Sequence, residues 1–105
     1  MLDEPRDALY LLQRWYVAQC DSEWEHSYGI SIETLDNPGW HLRIELTGTA
    51  LAALGDCDWR KLERSEHDWV HWRVADASFE AACGPTNLSE AIVAFLELAG
   101  VRLDA

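Results

Sequence analysis

Near the start of the chain Leu9, Leu12, Trp15 and Tyr16, continued by Gln19, recur at three- and four-residue intervals. That spacing predicts one amphipathic helix over about 4–20, with Asp3 ahead of Pro5 as its start signal. From Tyr28 the period changes to two. Tyr28, Ile30 and Ile32 alternate with Gly29, Ser31 and Glu33, and the alternation resumes in Trp40, Leu42, Ile44 and Leu46. Two strands around Asp36-Asn37-Pro38-Gly39 make a hairpin. Pro38 sets its own φ near about −65° and Gly39 is free to take a positive φ, which predicts a type II turn.

A second strand pair is predicted over 59–65 and 69–75, joined by Ser65, Glu66, His67 and Asp68, although Trp59 and Leu62 do not share a strand face. Val70, Trp72 and Val74 form an inward set against His71 and Arg73, and a short strand from Phe79 to Cys83 follows Asp76. Asn87 with Glu90 three residues on predicts a capping box for a last helix. Its stripe is Leu88, Ile92, Phe95, Leu96 and Ala99, and Gly100 ends it. The fold class is α+β: an antiparallel sheet of about five strands, with an N-terminal and a C-terminal helix packed on one face. The other face carries Ser31, Glu33, His41, Arg43, Glu45, His71 and Arg73, a mixed polar surface.

A length of 105 residues suits one domain over 1–105, and 49% hydrophobic content with six Trp residues argues for a folded core. The net charge of −11 repels phosphate backbones and anionic lipid, so neither nucleic acid nor a membrane is expected as a partner. No apolar run has the length of a leader or a span, which points to the cytoplasm. Cys20, Cys57 and Cys83 are odd in number and form no CxxC pair, as expected of reduced thiols.

Signals for chemistry are sparse. Cys83, ahead of Gly84-Pro85, or Cys20 would be the nucleophile of a small cysteine enzyme, with His26, His41 or His71 as base, but a cysteine needs a lowered pKa and access. The bland reading is an inert thiol. Cys20, Glu23, Glu25 and His26 are metal-ligand types at irregular spacings that do not close a tetrahedron, so no metal or other cofactor is expected. No phosphate loop, GxSxG, HExxH or paired-carboxylate signature occurs.

Charge is the stronger signal. Between Arg14 and Arg43 there is no Lys or Arg, while Asp21, Glu23, Glu25, Glu33 and Asp36 are interleaved there with Trp24, Tyr28 and Trp40. Carboxylates steer and pair with a basic partner, and aromatic side chains anchor it. The opposing reading is a solvated acidic surface over core tryptophans.

The string Trp15-Tyr16 with Gln19-Cys20, then Trp24-Glu25-His26-Ser27-Tyr28-Gly29-Ile30, then Ile32-Glu33-Thr34-Leu35-Asp36-Asn37-Pro38-Gly39-Trp40, and Leu46-Thr47-Gly48-Thr49 resembles immunity protein 53. The likeness continues through Glu63-Arg64-Ser65-Glu66, Asp68-Trp69, Gly84-Pro85 and Asn87-Leu88. The resemblance implies a small cytoplasmic antitoxin of a bacterial polymorphic toxin system that binds a cognate toxin without catalysis. A basic toxin domain, such as a nuclease, suits the acidic charge.

The residues expected to meet that partner are Asp21, Glu23, Trp24, Glu25 and His26 after the first helix, Asp36 in the hairpin turn, and Glu66 and Asp68 in the second turn. Trp24 is expected to be an exposed anchor. An adaptor domain that binds a basic host protein, with no toxin involved, is the remaining alternative. Motif residues of this kind can also hold the fold, with partner contacts made elsewhere, for instance at Asp56, at Asp58 or on the polar strand faces.

Overall fold

Asp7 caps the first helix in the computed structural model, which describes residues 7–102. Its carboxylate accepts the Tyr10 amide at 2.9 Å, satisfying one of the free donors at the end of α1 (Ala8–Gln19). The expected start at Asp3 and Pro5 lies outside the described residues. Leu12 and Ala8 face the core, whereas Leu9 is half exposed, because α1 packs chiefly on α3 and leaves its other flank to solvent.

A one-turn helix, α2 (Trp24–Ser27), leads into β1 (Ile30–Leu35) and β2 (Gly39–Glu45). A 3₁₀ turn at Ala50–Ala53 precedes β3 (Cys57–Ser65), β4 (Asp68–Ala75) and β5 (Ser78–Cys83), and α3 (Leu88–Leu98) follows. The five strands form one antiparallel sheet in the order β1-β2-β5-β4-β3. The last strand therefore lies in the middle, and β1 and β3 are the edges.

The pairing puts Leu42, Ile44, Val70, Val74, Phe79, Ala81 and Cys83 on one face, under Leu12 of α1 and Ala91, Ile92, Phe95 and Leu96 of α3. This is the α+β sheet with both helices on one face that the patterning predicts. Trp15 of α1 sets its ring edge-on to Phe95 at 4.9 Å, and Phe95 meets Phe79 at 5.3 Å, so both helices close on the central strand.

Local chemistry departs from expectation at several turns. Gly39 has no positive φ; it opens β2 and pairs with Leu35. A Cβ there would overlap the Cys83 carbonyl oxygen, so glycine is needed for close backbone approach rather than for a type II turn. Asn87 makes no side-chain cap on α3. Its amide instead donates to Asp68 and Glu90, and its side-chain oxygen accepts the Trp69 amide, which lashes the start of β4 to the start of α3. Gly100 (φ +77°) does end α3 in the expected way: its amide bonds Glu97 O, and Val101 N reaches Leu96 O.

Candidate functional site

Asp21 folds the segment after α1. Its Oδ1 accepts the amides of Glu23 and Trp24, while Glu25 reaches back to the amides of Asp21 and Ser22. The two carboxylates thus cap the one-turn helix reciprocally. Bonds from the Trp24 and then the Glu23 amide hold the Asp21 carboxyl below its ordinary range. Glu25 is lowered by its own backbone amide and by those of Asp21 and Ser22.

The cap drives Trp24 inward, where it is 5% exposed. Its Nε1 donates to Thr47 O at 2.8 Å, and its ring lies among Trp15, Tyr16 and Tyr28. A Cβ on Gly48 (φ +80°) would come within 3.1 Å of that ring. Trp24 is therefore a core residue and not the exposed anchor expected of it. Glu23 and His26 remain exposed on the outside of this turn.

Asp36 and Glu66 lie elsewhere. The register places the β1–β2 turn and the β3–β4 turn at the same end of the sheet, since Leu35 pairs Gly39 and Glu63 pairs Trp69. Six residues of β1 separate that end from Trp24 and Thr47, about 17 Å along the strands. The expected residues are thus split into two groups. Both Asp36 and Glu66 are exposed, and neither has an ion pair or side-chain hydrogen bond among the described residues.

Asp68, by contrast, is engaged internally. Arg64 forks across Asp68 (2.8 Å) and Glu90 (2.6 Å), with Asn87 between the two carboxylates. The Arg64 guanidinium, then the Asn87 amide, holds both carboxyls below their ordinary values.

Between the two turns the uncovered face of the sheet is concave. A trough of about 870 Å³ runs over Ala82, walled by Leu35 and Asn37 on one side and by Trp59, Lys61, Trp69 and His71 on the other, with Glu63 and Glu66 at its rim. Ala82 makes the depression because its neighbours in the same row, His41 and His71, are much larger. Ion pairs brace the floor. Glu80 is shared by His41 (2.9 Å) and Arg73 (2.9 Å), and their hydrogen bonds, His41 first, lower its pKa. His71 meets Glu63 at 2.7 Å, and Arg73 stacks on Trp59 at 4.7 Å from the ring centre. The trough was not read from the sequence; the signal for it was Ala82 between bulky polar positions, visible only once the strand order is known.

Catalytic arrangements find little support here. Cys83 is buried on the helix side of β5, and burial pushes its thiol up to about 11, the opposite of what a nucleophile requires. This corrects the choice of Cys83 as a candidate nucleophile. The Cys20 thiol donates to Tyr16 O at 3.4 Å. Among the described residues, no group of three or more His, Cys, Asp or Glu could hold a metal ion, and no helix is long and apolar enough to cross a membrane.

Comparison with curated proteins and with solved structures finds no match. The family model of immunity protein 53 matches residues 9–100, from the first helix through the glycine that ends the last. The blocks it spans are those that the structure ties together: Trp24 to Thr47, Trp40 Nε1 to Pro85 O at 3.0 Å, and Arg64 to Asp68 and Glu90. The chain belongs to the immunity protein 53 family.

Proposed function

We propose that this protein neutralises a cognate toxin of a polymorphic toxin system by non-catalytic occlusion, using the concave sheet face and the two acidic turns at its end. The observation that carries this reading is the pair Asp36 and Glu66. They are exposed carboxylates on adjacent turns, without partners among the described residues, flanking a trough that also presents Trp59 and Trp69. A basic toxin would gain charge pairing at the two turns and aromatic contact along the wall. An inhibitor of net charge −11 would also compete with phosphate for a toxin site built to hold nucleic acid. Glu23, exposed at the far end, adds to the steering field.

Asp21, Glu25 and Asp68 contribute charge to that field while their oxygens hold local backbone and side chains, so their replacement would be read first as loss of fold. The proposal is tested by looking for a toxin gene directly upstream, co-expressing the protein with that toxin and scoring survival, then measuring binding to an inactive form of it; consistent absence of such a gene would count against the proposal. Asp36→Lys together with Glu66→Lys should weaken binding and protection while leaving the melting temperature unchanged. Protection that survives both reversals would remove the rim from the interface. A chain that rescues no neighbouring toxin, yet captures a basic host protein, would favour an adaptor.

A further inference from the structure

The two edges of the sheet are not equivalent. β3 is interrupted by register shifts between Cys57 and Arg60 and between Glu63 and Ser65, and carries Arg60, Lys61, Glu63 and Arg64, the usual devices that stop a foreign strand from pairing. β1 has no such register shift and no basic side chain. Its six residues run in unbroken register from Ile30 to Leu35, with Glu33 as the one charged side chain.

Glu45 N donates to Gly29 O just before β1. In an antiparallel ladder the bonded positions recur every second residue, so Ser31, Glu33 and Leu35 bond β2, and the backbone groups of Ile30, Ile32 and Thr34 point away from the sheet. The side chains of those same three residues share the helix-side face with Ile44, Leu42 and Trp40. There α1 does not close over the edge: a recess of about 310 Å³ lies between Leu12, Gln13 and Tyr16 of α1 and Gly29 and Ile30 of the edge, and Ile32 is 39% exposed. Among the described residues no strand pairs this edge, so its backbone borders an apolar contact surface on one side.

The charged side chains of β1 and of the segments flanking it are acidic, and Arg43, across from Ser31 on β2, is turned to Ser78 and Glu45. Glu33 projects from the other face of β1, Glu23 stands before the strand and Asp36 after it, all exposed, and no Lys or Arg occurs between Arg14 and Arg43. A second copy of this chain, paired antiparallel, would set the Glu23 end of one against the Asp36 end of the other with no base in either. A basic strand has no such conflict.

We infer that the free edge of β1 receives an extended segment of the toxin, extending the sheet by one strand. The segment alternates apolar residues, which pack on Ile30, Ile32 and Tyr16, with Lys or Arg residues, which face Glu33. This rests on the reading above that the partner is a toxin, and adds a second contact on the flank next to the trough.

The test is amide hydrogen exchange, residue by residue, on the full chain alone and in complex with the inactive toxin encoded upstream. The outward amides of Ile30, Ile32 and Thr34 should slow by about tenfold or more in the complex, with Arg60 to Arg64 unchanged. Ile32→Lys should weaken the complex by about tenfold or more at an unchanged melting temperature. Thr34→Pro, which removes only an outward N–H, provides the second variant if the first fails to fold. A complex that forms while the β1 amides exchange as fast as in the free protein overturns the edge assignment and leaves toxin binding intact. Absence of any complex overturns both. Sedimentation of the free chain as a dimer with protected β1 amides would assign the edge to a second copy instead.

Discussion

The Trp24 indole is held by Thr47 O and packed among Trp15, Tyr16 and Tyr28. Its acidic neighbours suggest a surface anchor, yet Asp21 and Glu25 spend their oxygens on backbone amides and turn the indole inward to Thr47 O. Trp24→Ala should accordingly cost about 3 to 5 kcal/mol of stability, read as a shift in denaturant midpoint. An unchanged midpoint would show that the indole is not part of the core. A second residue-scale prediction concerns Ala77. The β4–β5 hairpin closes through Asp76 (φ 53°) and Ala77 (φ 58°), a two-residue turn with both residues left-handed, where glycine is ordinarily found. Ala77→Gly removes the Cβ penalty and should stabilise the protein by about 1 kcal/mol, visible as a higher melting temperature; a lower one would contradict the turn geometry.

At the scale of elements, much was legible because hydrophobic periodicity is set by burial, and burial here follows one sheet face. Val70, Trp72 and Val74 and the stripe through Ile92, Phe95 and Leu96 lie where their spacing puts them. The turns were less legible, since the same residue types serve different contacts. Gly39 reads as a turn glycine but meets the Cys83 carbonyl across the sheet, and Asn87 reads as a helix cap but bridges Asp68 and Glu90. Gly39 answers to Cys83 and Asn87 to Asp68, both distant in the sequence, which local pattern does not encode.

Gly39→Ala should therefore destabilise by about 1 to 3 kcal/mol through overpacking, measured by denaturant unfolding. The Arg64 fork gives an element-scale pH dependence. Asp68 and Glu90 have lowered values in the folded chain, so their contribution is present above the ordinary carboxylate range of 3.8 to 4.5. It is lost as pH falls through the lower folded values. Arg64→Ala should flatten the decline of melting temperature below about pH 5; parallel curves for the two proteins would rule the fork out as its source.

For the molecule as a whole, the charge of −11 is distributed so that some carboxylates are consumed internally and others remain available. Asp21, Glu25, Asp68, Glu80 and Glu90 are bound within the fold, whereas Glu23, Asp36 and Glu66 are exposed without partners among the described residues. Composition made the net sign legible but not this division, which follows from strand order and register. Association with a basic toxin should slow as salt rises from about 50 to 500 mM, with the Debye length shrinking below about 10 Å; an on-rate indifferent to salt would reject steering.

The position of β5 has a consequence in time. Until Ser78–Cys83 is made, β2 and β4 have no strand between them and their inner flanks lack a partner. The sheet face that we propose meets a toxin should therefore be complete only in chains whose synthesis is nearly done.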